Sequence, residues 1–185
     1  RVGLHLPVAP EDALAEAGFA QSDEVDQALR DFARSPGVRD LSDAARARLD
    51  RLMPTLLATA ASSPAPLLAL RRMLAMLHAI LRRASYLALL DEQPAALSRL
   101  IEVLVRSALL GERLAAHPLL LDELLDQRVA GPLPRHGEYV VACEAALQQE
   151  DSEAALLALN EARQALSFRI ALATLDRRVE GIDAV

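Results

Sequence analysis

No lysine and no tryptophan occur among the 185 residues, cysteine occurs once, and aromatic residues amount to 3%. Each absence closes off a class of function. A phosphate-gripping P-loop needs a lysine beside its glycine-rich turn, so none is present. The single cysteine, Cys143, excludes an internal disulfide and any cysteine-based zinc cluster. Its neighbours Val140, Val141, Ala142, Ala145 and Ala146 make it read as a small buried residue. No run of eighteen apolar residues and no basic-then-apolar leader appears, which predicts a soluble, cytoplasmic protein without a membrane partner. The formal charge is −6 and all 20 basic residues are arginine. That balance lacks the cationic footprint of nucleic-acid binding.

Hydrophobic residues still make up 52% of the chain, so a core must be built from leucine and alanine, both good helix formers. β-branched residues are sparse and no alternating run of strand length appears. The expected fold is all-α: a multi-helix bundle with superhelical stacking of short helices and no sheet. The length suits one domain or two small ones. A start at Arg1 rather than methionine reads as a piece of a longer protein.

Capping signals divide the chain. Pro10 opens a short helix that Gly18 ends. Ser22 caps a helix to about Arg34, which Ser35-Pro36-Gly37 stops. Ser42 caps a longer segment with Ala45, Leu49, Leu52, Leu56 and Ala60 at helical spacing, in which Pro54 should introduce a kink. Between Pro66 and Arg83, Leu67, Leu70, Leu74, Leu77 and Leu81 recur in steps of three and four. Met73 and Ile80 widen this seam, and His78 borders it as a half-buried structural histidine. QPAALSRL (Gln93–Leu100) and HPLLLDEL (His117–Leu124) form a faint repeat, with proline in the first helical turn of each and the two elements stacked in one bundle. Residues 127–137 hold two prolines and two glycines and read as a loop. A helix from Glu138 to about Gln149 follows. Asp151 or Ser152 then caps a final helix to Arg178, with Gly181 marking its end. That helix is apolar on two sides: Leu159, Ala162, Leu166, Ile170 and Ala173 form one stripe, and Leu157, Phe168 and Leu175 lie nearly opposite. It is expected either to be central to this domain or to lend one face to a domain outside the chain.

The search for chemistry yields no converging polar set. GxGxxG, HExxH and GxSxG are absent, and no two histidines stand at metal-ligand spacing. Asp122 and Asp126 share a helical face with Glu123 nearby, the best metal candidate, but they read as the wet edge of a helix whose leucines face inward. His117 sits at an N-cap position. Ser85 reads as an N-cap rather than a nucleophile, and Tyr86 and Tyr139 as core residues with hydroxyls at the rim. The pairs Arg71/Arg72 and Arg82/Arg83 read as solvated helix edges. No catalytic, cofactor-binding or metal-binding residue is assigned.

Five stretches together carry a resemblance: LAEAGF (Leu14–Phe19), LDRLMPTLL (Leu49–Leu57), RRASYLALLDEQPAALSRL (Arg82–Leu100), SALLGERLAAHPLLLDELLD (Ser107–Asp126) and FRIALATL (Phe168–Leu175). Together they resemble the middle of the glutamine synthetase adenylyltransferases (glutamate–ammonia-ligase adenylyltransferases). The resemblance implies a bifunctional enzyme with two nucleotidyltransferase domains. One attaches AMP from ATP to a tyrosine of glutamine synthetase, the other removes it by phosphorolysis, and PII signalling proteins and glutamine choose between them. It also implies ATP and Mg2+ as cofactors of that enzyme, with none in this chain. Each catalytic domain carries G-S-x-x-D-x-D, whose aspartates hold the metal that neutralises transition-state charge. This sequence has no Gly-Ser pair and no Asp-x-Asp. The implied role is therefore a non-catalytic helical linker or regulatory segment. Residues 1–126 would be scaffold, 127–137 loop, and 138–185 the lead-in to a nucleotidyltransferase domain outside the chain. A self-standing helical protein-interaction module is the alternative.

Overall fold

A computed structural model describes residues 18–125, 136–149 and 151–183, with side chains through residue 176. Among the described residues there are ten helices and no strand, as the leucine- and alanine-rich composition predicts. They are α1 (Ser22–Arg34), α2 (Pro36–Arg39), α3 (Asp43–Ala61), α4 (Pro66–Ile80), α5 (Ala84–Glu92), α6 (Pro94–Arg106), α7 (Ala108–Ala116), α8 (Leu120–Leu125), α9 (His136–Leu147) and α10 (Ser152–Asp183). The chain forms two compact units, Arg1–Ala116 and His117–Val185.

The first unit is organised around α4. Its seam is buried from Leu70 on: Leu70, Met73, Leu74, Leu77 and Ile80 are all covered, and so is Leu81 just beyond, while Leu67, the first residue of the expected seam, is half-buried. Ala69 and Met76 are buried as well, so the covered arc is wider than one stripe. The arc is wide because α1, α3, α5, α6 and α7 all pack against α4. Ser42 caps α3 through its hydroxyl, which accepts from the Ala45 N–H at 3.3 Å. Leu49, Leu52, Leu56 and Ala60 then face inward, joined by Met53. Pro54 lies inside α3, which continues as one helix through it. The proline is on the exposed side, where the carbonyl it leaves unpaired can meet water.

Several expected boundaries move. The N-cap of α1 is Gln21, with Ser22 already helical. Ser35 does end α1, but Pro36 then takes the first position of the short helix α2, so Gly37 is not a stop. The leucine seam leaves the helix at Ile80. Arg83 rather than Ser85 precedes α5, which places Ser85 inside that helix. Pro94 occupies the first turn of α6 as expected. Pro118 instead precedes α8: the carbonyls of His117 and Pro118 accept from Leu120 and Leu121 in a tight turn. Leu97 and Leu100 in one copy of the repeat, and Leu121 and Leu124 in the other, are buried in step, but the copies belong to different units.

In the second unit α10 packs against both α8 and α9. Asp151 caps α10, its carboxylate accepting from Glu153 N–H and its carbonyl from Ala155 N–H. The helix passes through Gly181 to Asp183, because one glycine costs a long helix only about 1 kcal/mol. The expected loop at 127–137 lies outside the described residues except for His136 and Gly137, and these two open α9. The short helix expected from Pro10 also lies outside them. Gly18, its expected end, has φ 106°, the left-handed conformation that favours glycine.

Candidate functional site

The most distinctive surface of the second unit is a groove between α9 and α10. Glu138, Val141, Ala142 and Ala145 recur at three- and four-residue steps, as do Ala162, Ala165, Leu166 and Arg169, so each set lies on one helical face. The two faces line a cavity of about 460 Å³. Alanines along both walls leave room there, and most of the lining is apolar.

One end of the groove is charged. Arg169 on α10 reaches Glu138 of α9, with Nη2 3.1 Å from Oε2. Its Nε lies 3.9 Å from a Glu123 carboxylate oxygen on α8. That distance gives charge attraction without a hydrogen bond, and the Nε is buried with no hydrogen-bond partner. One guanidinium thus ties α10 to both neighbouring helices.

The other notable feature is α9 itself. Eight of its twelve residues are apolar, distributed all round the helix, yet Ala146 alone is buried. Val141 and Leu147 are 65% and 62% exposed, and just beyond the turn Leu156 and Leu157 are 68% and 60% exposed. Cys143 is exposed, which corrects the expectation of a buried cysteine. Its neighbours are apolar, as read, but among the described residues no other element covers that side of α9.

The remaining candidates take structural or solvated positions. Asp122 is exposed beside the buried Leu121, while Glu123 turns to Arg169; Asp126 lies outside the described residues. Among the described residues no three His, Cys, Asp or Glu side chains gather as metal ligands would. His117 is exposed. His78 is exposed rather than half-buried as expected; its ring packs edge-on against Phe32 at 4.8 Å between centroids, and partial desolvation lowers its imidazole below the ordinary histidine range. Tyr86 is buried, with the Arg83 guanidinium 5.9 Å from its ring centre; Tyr139 is half-buried. Arg71 pairs with Glu24 at 2.6 Å on the surface. Arg72 is not a solvated edge: it donates to the carbonyls of Leu104 and Val105 at the end of α6.

The two apolar sides of α10 are covered only in part: Leu166 and Ala173 on one and Phe168 on the other are buried, with Leu172 close by. Bare apolar surface lies instead at Leu156, Leu157 and Ile170. The geometry therefore offers apolar side chains to another surface and, among the described residues, no metal cluster.

A family model described as glutamate-ammonia ligase adenylyltransferase matches residues 97–182. A bifunctional glutamine synthetase adenylyltransferase/adenylyl-removing enzyme of Stenotrophomonas maltophilia is 61% identical over 171 residues, 92% of this chain. The chain belongs to the glutamate–ammonia ligase adenylyltransferase family. Adenylyltransferases of the same bifunctional description from Xanthomonas axonopodis pv. citri and Chromobacterium violaceum are 59% and 40% identical, over 97% and 90% of the chain. The chain spans about a fifth of the length of these adenylyltransferase relatives, 18% in the first and 19% in the other two. The stretch matched by the adenylyltransferase model contains all of α7, α8 and α9 and nearly all of α10. The groove and the bare helix therefore lie within what the model recognises. Among the described residues no helix is long and apolar enough to cross a membrane.

Proposed function

We propose that this chain is a non-catalytic helical connector of an enzyme that adenylylates and deadenylylates glutamine synthetase. The observation that carries the reading is 57–61% identity, over more than nine-tenths of the chain, to proteins named for both activities. In support, the sequence holds no Gly-Ser pair, no Asp-x-Asp and no lysine, so its residues do not fit an ATP–Mg2+ site and no catalytic step is assigned to them. ATP and Mg2+ belong, on this reading, to nucleotidyltransferase domains elsewhere in the polypeptide. Glutamine synthetase and a PII signalling protein are partners of the whole cytoplasmic enzyme. The role of this segment is to hold its helices in fixed register, so that the domains it joins keep a defined relation.

The test is AMP transfer. The 185-residue chain, mixed with ATP, Mg2+ and glutamine synthetase, is expected to incorporate no AMP, while the full-length protein carrying this stretch does. Transfer by the chain alone overturns the connector reading. A full-length protein that modifies nothing overturns the enzyme assignment.

A further inference from the structure

We infer that α9 and the adjoining end of α10 seat another part of the same polypeptide, an aliphatic surface edged with basic residues that lies outside these 185 residues. The inference rests on the reading that the chain is one segment of a longer adenylyltransferase. A twelve-residue helix is marginal alone in water and draws its stability from the surface it buries. Helices apolar on every side are found enclosed, whereas α9 is apolar on every side and has one buried residue. Val140, Val141, Leu147, Leu156 and Leu157 are all exposed, so the two helices present bare apolar side chains of the kind that mark an interface.

Three observations choose the occupant. The relatives devote about four-fifths of their length to sequence outside this stretch, and a tethered body reaches such a patch at high effective concentration. A second copy fits poorly, because a two-fold pairing of helices covers one face of α9 and leaves the others bare. A lipid surface fits poorly too: residues 136–157 contain Glu138, Glu144, Glu150, Asp151 and Glu153 and no arginine or lysine, the reverse of an interfacial helix. Glu144 and Glu153 are exposed on the same two helices and ask the partner for arginine at the edge of an aliphatic centre.

The chain's single thiol, Cys143, sits exposed on α9 and reports coverage directly. Full-length wild-type protein is treated with a maleimide, natively and in denaturing urea, and the Cys143 peptide is quantified by mass spectrometry. Native labelling is expected to be at least about 30-fold slower than in the unfolded chain. A smaller difference overturns the inference, and so does protection that is lost on dilution, which would make the occupant a second copy. In parallel, Leu147→p-benzoylphenylalanine in the full-length protein is photo-cross-linked. A bond to a peptide of the same molecule outside the 185 residues supports the inference; a bond within them, or between molecules, overturns it. Neither readout needs enzymatic activity, so the inference and the functional assignment fail separately.

Discussion

Two adjacent arginines offer a sharp check on the reading of the first unit, because the same substitution should have different effects at the two positions. The last four carbonyls of a helix have no partner within it. In α6 the Val103 carbonyl is taken by Ser107 N–H, and those of Leu104 and Val105 are taken by the Arg72 guanidinium, which reaches across from α4. Hydrogen bonds to a charged donor contribute about 1.5–3 kcal/mol, and a cation at a helix C-terminus about 0.3–1. The site is only partly buried, so we expect Arg72→Met to cost about 2 kcal/mol. Methionine keeps the apolar stem, so the loss measures the guanidinium itself. Arg71 pairs with Glu24 through side chains 55% and 53% exposed, and such pairs contribute about 0–1 kcal/mol. Arg71→Met should therefore cost less than about 0.5. Urea unfolding followed by far-UV circular dichroism separates the two. With slopes of about 1–3 kcal/mol per molar, the Arg72 variant's midpoint falls by roughly 1 M while that of the Arg71 variant barely moves. Equal losses at the two positions, or no loss at Arg72, would show that water serves the α6 carbonyls as well as the arginine does.

Pro54→Ala should stabilise the first unit by about 2 kcal/mol, the helix-interior penalty of proline less its effect on the unfolded chain; an unchanged or lower urea midpoint contradicts this. His78 is held below its ordinary range by partial desolvation, so the unfolded state binds protons more readily. Its contribution is therefore intact above about pH 6.5 and is lost as pH falls from there through the folded value. Wild type should lose more stability than His78→Gln between about pH 7.5 and 5, and parallel losses refute the assignment. Gly18→Ala should cost about 1–2 kcal/mol from its positive φ alone, since the nearest atoms to an added Cβ, Ala61 O at 3.5 Å and Ala61 Cβ at 3.6 Å, are ordinary contacts. A neutral Gly18→Ala would mean that the backbone there relaxes freely.

Where a residue's partner lies on the same helix, the sequence was readable. The seam of α4, the Ser42 cap and the buried set of α3 follow from spacing and local hydrogen bonding, and so does the absence of strands among the described residues. The misplaced features share a cause. Ser22, Ser85 and His117 are good capping or turn-forming types, but the helix start is set within a residue or two by packing that no short pattern encodes. Gly181 does not stop α10, because its cost is small beside the length of that helix. Arg72 looked like half of a surface pair because the carbonyls it serves are some thirty positions away in sequence. The Glu123–Arg169–Glu138 tie likewise needs three helices to meet. Cys143 is the most informative miss. YVVACEAAL (Tyr139–Leu147) is apolar without a polar face, and from that pattern burial is the sound expectation. Periodicity reports what a helix needs, not which neighbour, if any, covers it.

That distinction separates the two units physically. Among the described residues the bare large apolar side chains of the first unit are Leu68 and Leu109, and the others all lie in the second. The first unit meets the demands of its own sequence, since α4 is enclosed by helices that precede and follow it within Arg1–Ala116. The second does so at Leu166, Phe168, Leu172 and Ala173 of α10 and, among the described residues, not at α9. A segment whose only task was to space two bodies apart would gain nothing from a bare apolar hairpin and would carry the aggregation risk that such patches bring. Bare surface of this kind is retained when it is normally covered. On the proposed reading, the connector would join its neighbours through a packed surface as well as through the backbone, and a large apolar surface is what holds two bodies in a defined relation rather than merely on one chain.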